Sequence, residues 1–397
     1  MNLKYRVNLI FEIIYEMKVL IITRHYLDQH LGGPNCSKAF IKAITNIYDD
    51  CTLIYPEHHD KYTELSHIVN EKTHLIPCFD KRNKIIKCLD MYRGKIHRFG
   101  KTAKELLKNN HFDIVFIDHS FTAASGVIEA AIKSEASIIT LHHNVESLYI
   151  KDNEQNLLFR YPYNYFSLRA EKKSILNSCL NLTLTKYDKD YFAKEYNNKR
   201  DTLEVLGMFE YNNQDKQQIT SKNNLTFIIS GSLSAAQTET AILTFLNDYT
   251  DCLNDICPNY KLIITGRNPS KTLLSTCKMI NQIEIVPNPE DLLSIIDKGC
   301  FYLCPIYTGS GLKLRIMDAL RIGLPVVAHD VSVRGYEDIA NSGFMFGYSD
   351  KQTFKQAIKR VLSINDNKKV AECYYSYFSF NAGKERLNKL LKKHHLT

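Results

Sequence analysis

The residues best suited to chemistry lie in the run PIYTGSGLKLRIMDALRIGLPVVA, at positions 305–328. A buried strand is predicted to end at Pro305, a Gly-Ser-Gly turn follows, and a helix is predicted to begin near Leu312. Glycines at such a turn let backbone N–H groups approach an anion, and the start of a helix favours negative charge. Lys313 and Arg315 lie in the predicted first turn, where cations oppose the helix dipole unless an anion is bound. The pattern therefore predicts a phosphate-binding site.

Asp318 extends this predicted site. It follows Lys313 by five residues, far enough along the helix to reach a sugar hydroxyl rather than a phosphate. A capped helix with solvated charges is the structural alternative, and a lone glycine turn would favour it. The two cations at the helix start favour a binding site instead.

The elements that must position these residues are predicted by short apolar runs that alternate with helical patterns, which is typical of parallel α/β architecture. The chain has 397 residues, of which 44% are hydrophobic and 24% charged, and this length suits two domains. A polar stretch at 211–224 separates two sets of predicted strands and is the predicted linker. The first set is predicted at 18–23, 51–55, 73–76, 113–117, 137–142 and 180–185, and the second at 225–230, 261–265, 282–286, 300–305 and 324–328.

The prediction is therefore an α/β protein with two Rossmann-like, doubly wound domains that face a central cleft. We assign residues 17–205 to the first domain, 206–375 to the second, and 376–397 to a C-terminal helix that packs back on the first. Helices of the second domain are predicted at 237–248, 289–298, 312–322 and 351–363. In doubly wound sheets ligands bind outside the carboxyl ends of the strands, so functional residues are expected just after each strand.

The 305–328 run resembles the donor-site signature of group 1, family 4-like nucleotide-sugar glycosyltransferases, which have the GT-B fold. In that family a glycine turn, a basic pair and an acidic residue precede a small-Gly-x-Pro-Val-Val run. The resemblance implies that Lys313 and Arg315 face the donor diphosphate. It implies that Asp318, where the family usually has Glu, faces the ribose hydroxyls. It also implies donor contacts from the turn itself, at Gly309, Ser310, Gly311 and Leu312.

The resemblance extends into the first domain. MKVLIITRHYLDQHLGGPNCSKAF resembles the family's first strand and glycine loop, which implies that Gly32 lies at the cleft and Gly33 at the reaction centre. LHHNVES resembles the family's His-Asn-x-Glu segment. His143 is then the catalytic histidine, with Asn144 and Glu146 beside it in the cleft, while His142 points to the opposite face of its strand. His119, after the fourth predicted strand, is a further candidate for the cleft.

The loop that opens the second domain departs from the family pattern. FIISGSLSAAQTETAILTFL and LIITGRNP resemble the family's strands there and imply donor contacts from Gly231, Ser232 and Arg267. Many relatives carry an Arg and a Lys in the first of these loops, where this chain has Ser232, Ser234 and Gln237. We therefore expect Lys313, Arg315 and Arg267 to supply the positive charge.

The resemblance implies a retaining reaction, in which the donor phosphate itself assists front-face attack by an acceptor hydroxyl. Asp188-Lys189-Asp190 superficially resembles a metal-binding DxD motif, but it is predicted to open and cap a helix, where acids favour the dipole. No His or carboxylate cluster has metal-ligand spacing, so we expect no metal and no cofactor. The expected partners are a nucleotide-sugar donor and a glycan or lipid-linked acceptor, in cell-surface polysaccharide synthesis.

Other functions compete with this interpretation. A dehydrogenase would need a G-x-G-x-x-G after the first strand, which the chain lacks. A sugar-nucleotide epimerase on the same fold would need no acceptor. The missing basic loop fits a catalytically degenerate nucleotide-binding module, although the retained basic pair and Asp318 argue against it. A nucleic-acid binder would use a basic patch, but we expect no nucleic acid partner.

Positive charge is concentrated between residues 81 and 108. The chain has 51 Lys and Arg against 43 Asp and Glu, and this segment holds ten basic residues against two acidic ones, which equals the whole excess of +8. The pattern predicts an interfacial helix at an anionic membrane surface, and a crossover helix packed on its sheet is the alternative. Its apolar stripe is predicted to comprise Ile85, Leu89, Tyr92, Ile96, Phe99, Ala103 and Leu106.

The cysteine pattern and hydropathy bear on location. Eleven cysteines, an odd number without disulfide or zinc spacing, favour a reduced, cytoplasmic chain. No apolar run approaches the roughly 18 residues of a membrane span. Residues 1–16, which precede MKVLIIT, are either an extension or the result of an upstream start, and both stay open. We expect a cytoplasmic protein that is peripheral on the membrane face.

Overall fold

The chain folds into two α/β domains. The computed structural model describes residues 17–59, 63–97, 99–154, 156–196, 201–212 and 225–397. Residues 1–16 and 213–224, which include the N-terminal segment and most of the predicted linker, lie outside the described residues. The predicted α/β architecture with two Rossmann-like sheets is confirmed.

The first domain contains a seven-stranded parallel sheet in the order β3-β2-β1-β4-β5-β6-β7. Its strands are β1 Lys18–Thr23, β2 Asp50–Glu57, β3 His74–Phe79, β4 Ile114–Asp118, β5 Ser137–His142, β6 Leu180–Thr183 and β7 Leu203–Val205. Its helices are α1 Gly32–Thr45, α2 Lys84–Tyr92, α3 Phe99–Asn109, α4 Val127–Lys133, α5 Glu146–Asn153, α6 Leu157–Asn177 and α7 Lys186–Glu195.

The second domain contains a six-stranded parallel sheet in the order β10-β9-β8-β11-β12-β13. Its strands are β8 Thr226–Ser232, β9 Lys261–Arg267, β10 Ile283–Pro287, β11 Phe301–Cys304, β12 Val326–His329 and β13 Met345–Tyr348. The helices that follow are α8 Ala236–Asp248, α9 Thr250–Ile256, α10 Lys271–Lys278, α11 Leu292–Ile296, α12 Arg315–Arg321, α13 Asp330–Val333, α14 Glu337–Asn341, α15 Lys351–Val361, α16 Asn367–Phe378 and α17 Phe380–Lys393.

The central strands are apolar because helices cover both faces of each sheet. In β1 the side chains of 19–22 are fully buried. Val19 and Ile21 pack in the same cluster as Phe40 of α1, whereas Leu20 and Ile22 pack with Phe99 of α3. The register of β1 with β2 and with β4 therefore places the carboxyl ends of three strands side by side.

Several predicted boundaries differ from the structure. The short strands β7 and β13 were not predicted, because each contributes only three or four residues at a sheet edge. The predicted continuous helix over 81–108 is wrong: α2 ends at Tyr92 and α3 begins at Phe99, with Gly94 at φ +69° between them. A positive φ is incompatible with helix continuation and suits glycine. Helix α12 begins at Arg315, three residues later than the predicted start at Leu312.

The chain crosses between the domains twice, and the two crossings lie side by side. The first follows β7 and the second joins α16 to α17. Arg386 of α17 donates to the carbonyls of Leu206 and Met208 on the first crossing and of Tyr377 on the second. The backbone N–H of Glu210 donates to the carbonyl of Phe378 at 2.8 Å.

Helix α17 lies against the first domain. The ammonium group of Lys42 on α1 lies over the ring of Phe380, 5.3 Å from its centroid. Beyond the helix, the Tyr48 hydroxyl donates to the carbonyl of Leu396 at 2.5 Å. All eleven cysteines are free thiols, and among the described residues no helix is both long and apolar enough to cross a bilayer.

Candidate active site in the interdomain cleft

A cavity of about 640 Å³ lies between the two domains. It opens at the carboxyl ends of β8 and β9 and beneath the loop after β11, where the strand order of the second sheet reverses. This is the place where doubly wound sheets bind ligands. All the predicted donor residues except Gly311 line it: Gly231, Ser232, Arg267, Gly309, Ser310, Leu312, Lys313, Arg315 and Asp318.

The guanidinium group of Arg315 is fixed at the end of β8. Its Nη1 donates to the carbonyl of Ser230 at 3.1 Å, and its Nη2 donates to the hydroxyl of Thr238 at 3.2 Å. Gly231 makes room for it, because a Cβ at this position would lie 2.4 Å from Nη1. Gly231 also has φ +145°, a conformation that favours glycine. A cation is therefore held at the cavity wall by the neighbouring strand end.

Lys313 lies just before α12 rather than in its first turn, and it is nearly buried. Its ammonium group donates to the carbonyls of Ser310 at 3.1 Å and Gly311 at 3.5 Å, which closes the glycine turn on itself. Burial lowers the pKa of Lys313 to about 8, and the charge of Arg315 acts in the same direction. An anion bound beside it would stabilise the charged form.

Asp318 lies in the first turn of α12 and reaches the cavity with 38% of its side chain exposed. One carboxylate oxygen accepts from Nη2 of Arg321 at 3.2 Å. Partial burial raises the pKa of Asp318 to about 6, although Arg321 opposes this shift. The carboxylate is the group that a ribose hydroxyl in the cavity would meet.

The loop that lacks the family's basic pair uses its polar side chains within the protein. Gln237 donates to the carbonyl and hydroxyl of Thr308, and the hydroxyls of Ser232 and Ser234 lie 3.3 Å apart. Gln237 therefore supports the glycine turn rather than adding charge. The sequence did not identify Gln237 as support, nor the further cavity residues His30, Asn35, Tyr149, Pro289 and Glu290.

His143 does not line this cavity but lies in a buried cluster beside it. Its Nε2 lies 2.8 Å from Oδ1 of Asp118, the last residue of β4. The other carboxylate oxygen of Asp118 accepts from the hydroxyl of Thr23, the last residue of β1, at 2.6 Å. Nδ1 of His143 is buried without a hydrogen-bond partner. His142 points away, as predicted from strand alternation, and pairs with Asn181 at 3.0 Å.

The pairing of Asp118 with His143 predicts how stability depends on pH. Burial opposes charge on the His143 ring, but Cys36 and the Asp118 carboxylate together outweigh burial and raise the pKa of His143. An unfolded histidine has a pKa of about 6.5, so the pair contributes its full share of the free energy of unfolding below that pH. This contribution is lost as the pH rises toward the raised pKa of His143 in the folded chain. The pKa of Asp118 is lowered by His143 against the effect of burial, so the contribution is also lost in acid.

We therefore expect the free energy of unfolding to fall between pH 7 and pH 9 more steeply in the wild type than in Asp118→Asn. One proton held only by the folded state corresponds to a slope of about 1.4 kcal/mol per pH unit. Urea unfolding at several pH values measures it. Parallel slopes for the two proteins would show that His143 is neutral in the folded chain.

His25 and His119 complete a group of three histidines. Nδ1 of His25 lies 2.8 Å from the Ser37 hydroxyl, and Nε2 of His119 lies 3.2 Å from Oε2 of Glu146. Burial lowers the pKa of both rings. One nitrogen from each of the three rings lies within 4.8 Å of the others, so this group could hold a metal ion. The sequence did not predict it, because its members follow three separate strands.

The glycine loop divides the cluster from the cavity. Gly32 lines the cavity and faces the second domain, where a Cβ would lie 3.0 Å from Cδ1 of Leu314. Gly33 faces the histidines, and a Cβ there would lie 2.8 Å from Nε2 of His25. Asn144 meets the second domain at Gly311, where a Cβ would lie 3.2 Å from Cβ of Asn144.

The prediction that the acids of 188–190 cap a helix is wrong for Asp188. Thr185 caps α7, because its hydroxyl accepts from the backbone N–H of Asp188 at 3.0 Å. The Asp188 carboxylate is instead fully buried, and burial raises its pKa to about 6. The charges of Arg334 and Lys313 in the second domain oppose this shift, so the carboxylate lies near the interdomain boundary.

Comparison with known proteins identifies the second half of the chain. Residues 224–364 match the family described as glycosyl transferases group 1. The second domain is a group 1 glycosyltransferase domain. The group 1 resemblance inferred from the 305–328 run is thus confirmed. The cavity-lining residues from Gly231 to Asp318 fall inside the matched region of this glycosyltransferase domain.

Solved structures show that the fold around the glycosyltransferase domain is GT-B, as predicted. A glycosyltransferase from Rickettsia africae is 15% identical, with a TM-score of 0.61 over 96% of this chain and 99% of the other. The Anabaena protein HepE in complex with UDP is 12% identical, with a TM-score of 0.64 over 95% and 100% of the two chains.

One curated relative matches more than two thirds of the chain. An uncharacterized 44.6 kDa protein in the cps region of Klebsiella pneumoniae is 22% identical over 291 residues, which is 70% of this chain and 73% of that one.

Proposed function

We propose that this protein transfers a sugar from a nucleotide-sugar donor to a glycan or lipid-linked acceptor, with retention of configuration, in the synthesis of a cell-surface polysaccharide. The observation that carries the proposal is the 640 Å³ cavity that gathers Lys313, Arg315 and Asp318 beside a glycine turn within the group 1 domain. HepE, which shares the fold, is described in complexes with UDP and with UDP-glucose. The cps location of the Klebsiella relative supports polysaccharide synthesis.

The diphosphate of the donor would occupy the part of the cavity between Arg315 and the glycine turn. Arg315 is already oriented by Ser230 and Thr238, so it would need no reorganisation to meet the developing charge of the leaving group. Asp318, on the same helix one turn further, would accept from the ribose hydroxyls. This arrangement holds the leaving group, which is the main requirement when the phosphate itself assists the acceptor hydroxyl.

The carboxylates of the first-domain cluster are each engaged with a histidine. Asp118 pairs with His143 and Glu146 with His119. The pKa of Glu146 is lowered to about 2, because His119 and Arg24 outweigh the effect of burial. Neither carboxylate is therefore suited to accept a proton near neutral pH, which supports a retaining reaction without a protein general base. The same proposal places the protein at the cytoplasmic face of a membrane, where lipid-linked acceptors are presented.

A thermal-shift screen with UDP, GDP, ADP and their common sugar conjugates tests donor binding, because a ligand of the folded state raises the melting temperature. Hydrolysis of the stabilising nucleotide sugar would separate an enzyme from a degenerate binding module. Conversion of the donor sugar with no acceptor and no release of nucleoside diphosphate would indicate an epimerase. No stabilisation by any of these nucleotides would contradict the proposal.

Treatment with EDTA should leave sugar transfer unchanged. Basic side chains at the glycine turn can neutralise the leaving diphosphate without a cation. The rate is measured before and after chelation, and again after addition of Mg²⁺ or Mn²⁺. Because His25, His119 and His143 could hold a metal, Zn²⁺ is included in the same series. Loss of turnover in EDTA with recovery on adding one of these ions would show that the reaction needs a metal.

A further inference from the structure

A patch of large apolar side chains lies exposed on the first domain. On α2 it comprises Ile85, which is 72% exposed, together with Leu89 and Tyr92. At the start of α6 it comprises Leu157, Leu158 and Tyr161, the last of which is 78% exposed. We call these six side chains the α2–α6 surface. A soluble monomer rarely leaves so many large apolar side chains together in solvent, and such patches mark interaction sites.

The two helices are held together, so the patch is one ordered surface. The Tyr92 hydroxyl donates to the carbonyl of Leu158 at 2.6 Å. Behind it, Gly94 lies against the ring of Phe166 on α6, where a Cβ would come within 2.8 Å of the ring. The exposed side chains on both helices therefore keep a fixed relation to each other.

Helix α3 does not belong to this surface, although the sequence predicted one stripe through both helices. Phe99, Ala103 and Leu107 are buried against the sheet. Lys101 forms an i,i+4 pair with Glu105 at 3.7 Å on the solvent side. This half of the basic segment is an ordinary crossover helix, whereas α2 leaves its apolar side chains uncovered.

The charges around the α2–α6 surface are positive. Five basic side chains on or beside α2 are exposed, namely Lys81, Lys84, Lys87, Arg93 and Lys95. The two carboxylates on or beside α2 are occupied, because Arg82 donates to Asp80 at 2.9 Å and to Asp90 at 3.1 Å. Lys87 also approaches Asp80, at 3.6 Å. On its α2 side the surface therefore presents apolar side chains within a basic rim, and Glu154 lies before its α6 side.

We propose that the α2–α6 surface binds an anionic lipid bilayer. Aliphatic side chains would enter the headgroup boundary, tyrosines suit the interfacial depth, and lysines would meet the lipid phosphates. Charge complementarity favours a bilayer over a second copy of this basic chain, whose own surface would repel it.

The position of the surface suits a lipid-linked acceptor. Tyr149 of α5 lines the donor cavity, and α5 leads through a short connection into the start of α6. The surface is thus close along the chain to the mouth of the cleft. Only this consequence rests on the proposed function, since bilayer binding itself needs no donor or acceptor.

Vesicle sedimentation tests the inference with the full chain. Vesicles of phosphatidylcholine alone and with phosphatidylglycerol are compared at low and high salt. We expect binding to the anionic vesicles to exceed binding to the neutral ones by roughly tenfold or more, and to weaken with salt. Lys84→Glu/Lys87→Glu/Lys95→Glu should lower binding on the order of a hundredfold. The variant Ile85→Ser/Leu157→Ser/Tyr161→Ser should abolish the vesicle binding that remains in high salt, because that binding depends on apolar contacts.

The matched control places the same charge change on α3, as Lys101→Glu/Lys104→Glu/Lys108→Glu, and should bind within about twofold of the wild type. Equal losses in the two lysine variants would overturn the α2–α6 assignment. Concentration-dependent dimerisation that the apolar variant abolishes, without vesicle binding, would show that the surface is a protein interface. A protein that binds UDP but no vesicle would refute this inference alone, and one that binds vesicles but no nucleotide would refute the proposed function alone.

Discussion

Replacing both Lys313 and Arg315 by alanine should weaken the binding of a nucleoside diphosphate by roughly a hundredfold or more. Each cation would form charge-assisted hydrogen bonds to the diphosphate, worth about 1.5–3 kcal/mol apiece. Isothermal titration with the nucleotide that stabilises the wild type measures the loss. Binding of the corresponding nucleoside should change little, because the base and ribose contacts remain.

Three further variants test whether the loss of affinity comes from the donor contacts of Lys313 and Arg315 rather than from a general change in charge or folding. Lys278→Ala removes one charge from an exposed position on α10 and should leave nucleotide affinity unchanged. Gly231→Ala keeps both cations but forces Arg315 from its place, and it should weaken diphosphate binding about as much as Arg315→Ala. Asp318→Ala should weaken nucleoside binding as well. Unchanged diphosphate affinity in a folded double variant would remove Lys313 and Arg315 from the donor site.

Replacing His143 by alanine should lower the turnover number by roughly a hundredfold to a thousandfold, the effect of losing one preorganised electrostatic group. The Asp118 carboxylate favours the charged ring, and the main chain of His143 approaches the glycine turn, where a Cβ on Gly311 would lie 3.7 Å from its carbonyl oxygen. A positive ring there would stabilise the leaving diphosphate. Steady-state kinetics should show the loss mainly in kcat rather than in KM.

Asp118→Asn and His142→Gln are the comparisons for this prediction. Asp118→Asn keeps the shape of the pair but removes the charge that raises the pKa of His143, so the alkaline limb of the rate profile should move to lower pH. His142→Gln alters an adjacent buried histidine that faces Asn181, and in the folded variant it should leave kcat unchanged. A His143→Ala enzyme with wild-type kcat would mean that His143 only supports the fold.

Local patterns made most strands and the donor residues predictable. The 305–328 run carries its glycines, cations and acid within a few residues, so the turn and the helix bring them together wherever the chain lies. Most predicted strands are apolar because both faces of the sheet are covered, and this leaves a direct signal. Gly94 is a local signal for the break between α2 and α3, because glycine weakens a helix.

Contacts between distant segments could not be predicted. The hydrogen bond from Arg315 to Ser230 joins residues 85 positions apart, and the three histidines meet only because β1, β4 and β5 are neighbours in the sheet. No local pattern encodes either contact. The exposed half of α2 resembles the buried half of α3 in sequence, since both are amphipathic, and only packing shows which face is covered.

The two adjacent crossings between the domains determine how the cleft can open. A body attached at two neighbouring points keeps chiefly one freedom, rotation about an axis close to those points, and Arg386 joins both attachments. Arg321 donates both to Glu210 on the first crossing and to Asp318 in the cavity, so a rotation about the crossings is transmitted to the donor site. Opening would part Gly311 on the second domain from Asn144 on the first. The return of the chain through α17 thus places the axis of domain rotation at the two crossings.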